Sequence, residues 1–154
     1  MSVELRGSRV LVTGGAGFIG SFIVDQMLEA GADQITVVDH FVRGRHENVA
    51  DAVDTGLVEV VDGDIRDAAL VDRLTDRGPR SGVLPGSPAD HPERRGAARA
   101  IQVMVNGTQN ILEAARKHGV KKIAAASTAS VYGGLAERGI ATRRGVMTSR
   151  LEPF

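Results

Sequence analysis

The chain has 154 residues, and its nineteen lysines and arginines are balanced by nineteen aspartates and glutamates. Zero net charge supplies no basic field for nucleic acid or an anionic membrane surface. The lack of cysteine excludes disulfides, thiolate metal sites and cysteine nucleophiles, and no apolar run approaches the roughly 20 residues that span a bilayer. Length and an apolar fraction of 42% suit one globular domain with its own core, residues 1–154, located in the cytoplasm.

The β-branched run from Arg9 to Thr13 is short and apolar, stops at Gly14-Gly15, and predicts a buried strand followed by a glycine turn. Ile19, Phe22, Ile23 and Met27 recur at helical spacing, and Gly31 stands where a helix ends, so a helix is expected from Phe18 to Ala30. Ile35 to Asp39 and Val58 to Val61 read as further strands, with a short helix around Glu47 to Val53 between them. Asp67 is placed to cap a helix carrying Leu70, Val71 and Leu74. Alternating strands and helices imply an α/β fold on a parallel sheet.

Four of the five prolines, Pro79, Pro85, Pro88 and Pro92, then fall close together. Val83-Leu84 is followed at once by Pro85, so residues 77–100 are expected to form a loop or a disordered segment with no central strand. Order is expected to resume in a helix from Ile101 to His118, with Val103, Gly107, Ile111, Leu112 and Ala115 on one face and Gly119 at its end. Val120 to Ala126 is the next strand candidate. Residues 134–154 read as an irregular tail, apart from a short pairing at Val146 and Met147. His40, His46, His91 and His118 lie on different elements with no ligand-like spacing, so no metal site is expected. Lys117, Lys121 and Lys122 read as a solvated face.

Gly14-Gly15-Ala16-Gly17-Phe18-Ile19-Gly20 carries the densest chemical signal. Glycines three apart at Gly14, Gly17 and Gly20, or alternatively Gly15, Gly17 and Gly20, let a turn adopt angles a side chain resists. They also let a dinucleotide diphosphate approach the backbone, and they bring helix and strand together. The free amides and dipole at the helix start then attract phosphate. Asp39 ends the second strand nineteen residues after Gly20, the placement of an acid that accepts hydrogen bonds from the adenosine ribose. An aspartate there repels the extra phosphate of NADP and favours NAD, while Arg43 and Arg45 nearby work against that preference. Asp62-Gly63-Asp64-Ile65 ends the third strand, either facing the adenine or forming a plain turn.

Together with Ser127-Thr128-Ala129-Ser130-Val131-Tyr132-Gly133, these residues resemble the extended short-chain dehydrogenase/reductases, specifically the NAD-dependent epimerase/dehydratase family acting on nucleotide sugars. Thr13 to Gly20 is similar to that family's opening signature, Gly63 to Asp67 to its third-strand motif, and Gly107 to Ala115 to its central helix. The resemblance covers residues 10–74 and 103–133. It implies a Rossmann-like doubly wound parallel sheet, NAD as cofactor, and a nucleotide-sugar substrate oxidised by hydride transfer to NAD and then reduced again. By the same resemblance, Gly14, Gly17, Phe18, Ile19, Gly20, Asp39, Arg43, Asp64 and Ile65 bind the cofactor, Thr128 is the catalytic hydroxyl on the sugar, and the chain forms a homodimer.

The chain departs from that pattern in three places. The family's base is a tyrosine with a lysine four residues on, whereas here Tyr132 is the sole tyrosine, Ala136 stands four residues later, and no lysine follows Lys122. Met104 occupies the central helix's asparagine position, with Asn106 two residues away. The proline-rich segment stands where the fourth strand and a small-residue loop belong, so the expected sheet is truncated, its fourth strand disrupted and the substrate domain absent. Read one base later, the codons permitted by Leu84 to His91 allow Phe-Leu-Ala-Ala-Leu-Arg-Ile-Thr, as a disrupted reading frame would leave them. Three readings follow: the NAD-binding half of a nucleotide-sugar epimerase/dehydratase that is catalytically incomplete alone, a non-catalytic NAD-binding module or sensor, or a frame-disrupted fragment without function.

Overall fold

The computed structural model describes residues 5–78, 81–84, 101–126 and 147–150, the segments 81–84 and 147–150 through their backbone. In chain order, β1 (Arg9–Thr13), α1 (Phe18–Glu29) and β2 (Gln34–Asp39) come first. A 3-10 turn (His46–Val49) leads into α2 (Ala50–Asp54), followed by β3 (Val58–Asp62), α3 (Ala68–Asp76) and β4 (Ser81–Leu84). A π-helical turn (Val103–Gly107) opens α4 (Thr108–Lys117), and β5 (Lys122–Ala125) and β6 (Met147–Arg150) complete a sheet of order β3-β2-β1-β4-β5-β6. All neighbours are parallel except β5 and β6. This is the Rossmann-like doubly wound arrangement that the family resemblance implies.

Successive strand residues face opposite sides, which explains two apolar layers from continuous apolar runs. Val10, Val12, Ile35 and Val37 pack with Val24 of α1 and Ala52 of α2, while Leu11 and Val38 pack on the other face with Leu70 and Leu74 of α3. Val71, Ile111 and Ala114 continue that second layer between α3 and α4. Fully burying each of the larger side chains contributes about 1.5–3 kcal/mol, so the β1–β2 centre of the sheet is its most strongly held part. The helix ends follow sequence chemistry. Gly31 takes φ +81, and the Ala32 and Gly31 amides donate to Met27 and Leu28 carbonyls at 3.0 and 2.9 Å. Asp67 Oδ1 accepts from the Ala69 and Leu70 amides at 3.0 and 3.1 Å, capping α3 as expected.

Two expectations are corrected. Residues 77–100 are not all loop: Ser81–Leu84 forms β4 in the middle of the sheet, paired from Val10↔Ser81 to Val12↔Val83 on one side and from Ser81↔Lys122 to Leu84↔Ala125 on the other. β5 therefore keeps its neighbour and does not pair with β1. A parallel ladder uses backbone groups that any residue but proline supplies, and Pro85 comes one residue after the last rung, so its missing N–H costs the ladder nothing. The fourth strand is thus present but confined to four residues. The tail of residues 134–154 is likewise not irregular throughout, because Met147–Arg150 runs antiparallel along β5. One edge strand facing a single neighbour needs no alternating apolar pattern. Residues 85–100, the remainder of the tail, and the Ser127 to Gly133 motif lie outside the described residues. Among the described residues no helix is long and apolar enough to cross a membrane.

Lys117, exposed as expected, and His118 are both paired with α3. Lys117 Nζ donates to both Asp72 oxygens at 2.8 and 2.9 Å, and the His118 ring lies 2.8 Å from Asp72 Oδ1 and 3.2 Å from Asp76 Oδ1. Lys117, and then His118, hold the Asp72 carboxyl below the ordinary carboxylate range. A carboxyl lowered by folding contributes stability that is present above its unfolded pKa and lost as pH falls through its folded value. Asp72→Asn is accordingly expected to lower the melting temperature at pH 7, with the difference from the parent closing as pH falls below the usual carboxylate range. Thermal melts across pH check this; a difference that stays constant with pH would contradict it.

Candidate functional site

β1 ends in buried Thr13, and the chain then turns through Gly14 at φ +67, a conformation that L side chains rarely adopt. The Gly14 amide donates to the Val38 carbonyl at 2.7 Å, and the Gly17 amide returns to the Gly14 carbonyl at 3.1 Å. The other glycines are required by contact rather than by angle. A Cβ on Gly15 would stand 2.7 Å from Val37 Cγ1, and one on Gly20 would fall on the Gly14 carbonyl oxygen and 2.7 Å from Gly15 Cα. Of the two overlapping glycine patterns, Gly14 takes the positive-φ turn while Gly15 permits packing against β2.

α1 starts directly from this turn. Gly17 is its N-cap with extended angles and no side-chain cap, and Ser21 is the first residue whose amide closes a turn onto Gly17, at 2.9 Å. The Phe18, Ile19 and Gly20 amides therefore have no partner within the helix and carry the positive end of a twelve-residue dipole. Phe18 is 92% exposed beside them, with Ile19 and Phe22 also exposed. A diphosphate is the kind of group such an opening accepts.

Asp39, at the end of β2, is buried, and its carboxylate joins the two sides of the site. Oδ2 accepts from the Ala16 amide at 3.1 Å and Oδ1 from the Phe41 amide at 2.9 Å, with His40 Nδ1 at 3.7 Å from Oδ1. A carboxylate offers about four acceptor positions, so these two amides leave room for hydroxyl donors. Gly44 passes over the group, where a Cβ would come within 2.8 Å of both oxygens. An acceptor pair beside an uncapped helix start is the combination of groups that a ribose and a diphosphate require. Phe41 itself sits at φ +51, held by its bond to Asp39 and by stacking of its ring on His46 at 4.0 Å.

The remaining sequence candidates divide. Asp64, after β3, is engaged by Arg66, whose Nη2 donates to Oδ2 at 2.6 Å and whose amide donates to Oδ1 at 2.9 Å. Arg66 thereby holds the Asp64 carboxyl below its usual range. The Ile65 side chain fills the space beneath Gly107, where a Cβ would stand 2.6 Å from its Cδ1, and Asn110 Nδ2 donates to the Ile65 and Arg66 carbonyls at 3.0 Å each. These contacts lock α4 onto the loop after β3. Arg43 is exposed on the loop after β2, and Thr128 lies outside the described residues. Sequence reading missed Asn48, which donates to the Ala16 carbonyl at 2.7 Å. Its signal, a single polar residue nine positions past Asp39, is invisible without the fold.

Fold and site together define a doubly wound nucleotide-binding domain. Residues 10–153 match the NAD dependent epimerase/dehydratase family, and the chain belongs to it. It is 34% identical over 135 residues to UDP-glucuronic acid decarboxylase 2 of Arabidopsis thaliana, covering 86% of this chain and 28% of that protein. It is 39% identical over 131 residues to dTDP-glucose 4,6-dehydratase of Mycobacterium tuberculosis, covering 82% of this chain and 38% of that protein. Among solved structures it resembles the Bordetella bronchiseptica enzyme WbmG in complex with NAD, with a TM-score of 0.73, 32% identity, and coverage of 82% of this chain and 39% of that one. The chain thus spans less than half the length of these relatives.

The contact at Gly20 yields a test. Alanine ordinarily stabilises a helix interior by about 1 kcal/mol relative to glycine. Here Gly20→Ala is expected to destabilise by about 1–3 kcal/mol, because its methyl meets backbone that cannot swing aside. Urea denaturation reads the sign, and an unchanged or raised midpoint would contradict the packing described.

Proposed function

We propose that this chain is the NAD-binding part of a nucleotide-sugar epimerase or dehydratase and does not complete catalysis by itself. The observation that carries the reading is the joint placement of the uncapped α1 start and the buried Asp39 carboxylate across one turn. The Phe18, Ile19 and Gly20 amides would hold the diphosphate, and the remaining acceptor positions on Asp39 would take the adenosine ribose hydroxyls. A negative, largely desolvated Asp39 disfavours the additional phosphate of NADP, and neighbouring Arg43 moderates that discrimination. Asp64 and Ile65 would border the adenine, with Arg66 fixing the Asp64 carboxylate. When bound, NAD supplies a hydride acceptor and donor for a sugar carbinol carbon.

Thr128 is the residue proposed, on sequence resemblance, to orient the sugar hydroxyl. The proton of that hydroxyl needs a base, which the family resemblance assigns to a tyrosine followed by a lysine four residues on. The sequence has no such pair. Binding without turnover is therefore expected from this chain, which makes a non-catalytic dinucleotide module the second reading. The nucleotide-sugar substrate, a homodimeric state and a cytoplasmic location belong to the same proposal.

Gly17→Asp separates binding from folding. Gly17 already has extended N-cap angles and no capping side chain, and aspartate is among the residues preferred there. The variant is expected to melt within a few degrees of the parent, yet to lose NAD binding in a calorimetric titration, because its carboxylate stands where the diphosphate would be. The parent is expected to bind NAD at least several-fold more tightly than NADP, and to give no epimerised or dehydrated product when a nucleotide sugar is added. Equal NAD affinity in parent and variant would refute the site, and formation of an altered sugar would refute catalytic incompleteness.

A further inference from the structure

The loop that follows β2 returns to the glycine turn at a single peptide. The Ala16 carbonyl accepts from Asn48 Nδ2 at 2.7 Å and from the Arg45 amide at 3.1 Å, while the Ala16 amide donates to Asp39 Oδ2 at 3.1 Å. Ala16 is fully buried, and it immediately precedes Gly17 and the open amides of α1. Both polar groups of this residue are thus held by the segment Asp39–Asn48, and nothing in the glycine turn itself supplies a side chain to do so. Glycine-rich backbone has the largest conformational freedom to lose, so its amides point in one direction only if an outside group restrains them.

We infer that Asn48 is a positioning residue for the diphosphate-binding turn, acting through the Ala16 carbonyl; this rests on the dinucleotide reading above. Asn48 is the only side chain among the described residues that donates to Ala16, and the Arg45 amide bond depends on the same loop path. Its amide fixes the plane of the Ala16–Gly17 peptide before a ligand arrives, so the ligand does not have to order the turn itself. The loop is held independently at its other end by the Phe41 amide on Asp39 and by the Phe41–His46 stack, so loss of Asn48 loosens the turn without releasing the loop.

The test compares Asn48→Ala and Asn48→Asp with the parent chain, each titrated with NAD well below its melting temperature at pH 7.5 and pH 5. A typical net hydrogen-bond contribution translates into a Kd rise of about 3- to 10-fold for Asn48→Ala, equal at both pH values. Asn48→Asp keeps the shape but turns an ionised acceptor toward a carbonyl. It is expected to bind more weakly than Asn48→Ala at pH 7.5 and to recover part of the loss at pH 5, where a growing fraction of the carboxyl is protonated and can donate. Amide hydrogen exchange of the apo chain adds a reading that needs no ligand: the hydrogen-bonded amides of the turn, Ala16, Gly17 and Ser21, should exchange several-fold faster in both variants, with β2 and β3 unchanged. A purely structural role would lower the melting temperature and leave both the Kd of the folded chain and the pH response untouched, which would overturn the inference. If the parent chain fails to bind NAD, the dinucleotide reading falls and this inference with it. Normal parent binding with parent-like variants overturns the inference alone.

Discussion

The site depends on one hydrogen bond between the ends of two adjacent strands, from the Ala16 amide to the buried Asp39 carboxylate. It exists because β1 and β2 pair in parallel, from Arg9↔Gln34 to Thr13↔Val38, so that both strands finish at the same edge. That register is set by Val10, Val12, Ile35 and Val37 sharing one apolar layer beneath α1. A slip of one residue would turn those side chains to the opposite face. The glycine turn, the start of α1 and the loop after β2 are then arranged around the carboxylate. Asp39 is therefore part of the framework as well as the proposed acceptor for ligand hydroxyls, and removing it would disturb the turn.

The first half of the chain was legible because each of its signals is local. The run from Arg9 to Thr13, the spacing of the glycines, the position of Asp39 and the cap at Asp67 each report on a few neighbouring residues. β4 was not legible for the opposite reason. Ser81-Gly82-Val83-Leu84 has no pattern of its own, and its place between β1 and β5 comes from the hydrogen-bonding groups those strands offer on either side. β6 was legible only as a short pairing at Val146 and Met147, since its length and direction come from β5.

The candidate site divides along the same line. The residues whose chemistry depends on backbone spacing, from Gly14 to Gly20, stand together as expected, whereas Asn48 is joined to Ala16 only by the return of a loop. Asp64 and Ile65 were identified by their motif, but their contacts are with Arg66, Gly107 and Asn110, partners contributed by their own loop and by the central helix. The motif thus carries a structural function, the docking of α4, beside any contact with an adenine ring. Membership of the family is secure from the match over residues 10–153.

The most direct test is an amide NMR titration of the isotope-labelled chain with NAD. The account predicts saturable shifts concentrated at Gly14 to Gly20 and Asp39 to Arg45, with β5 and β6 undisturbed. Shifts scattered over the surface, or none at millimolar NAD, would contradict a dinucleotide site built on the Asp39–Ala16 bond.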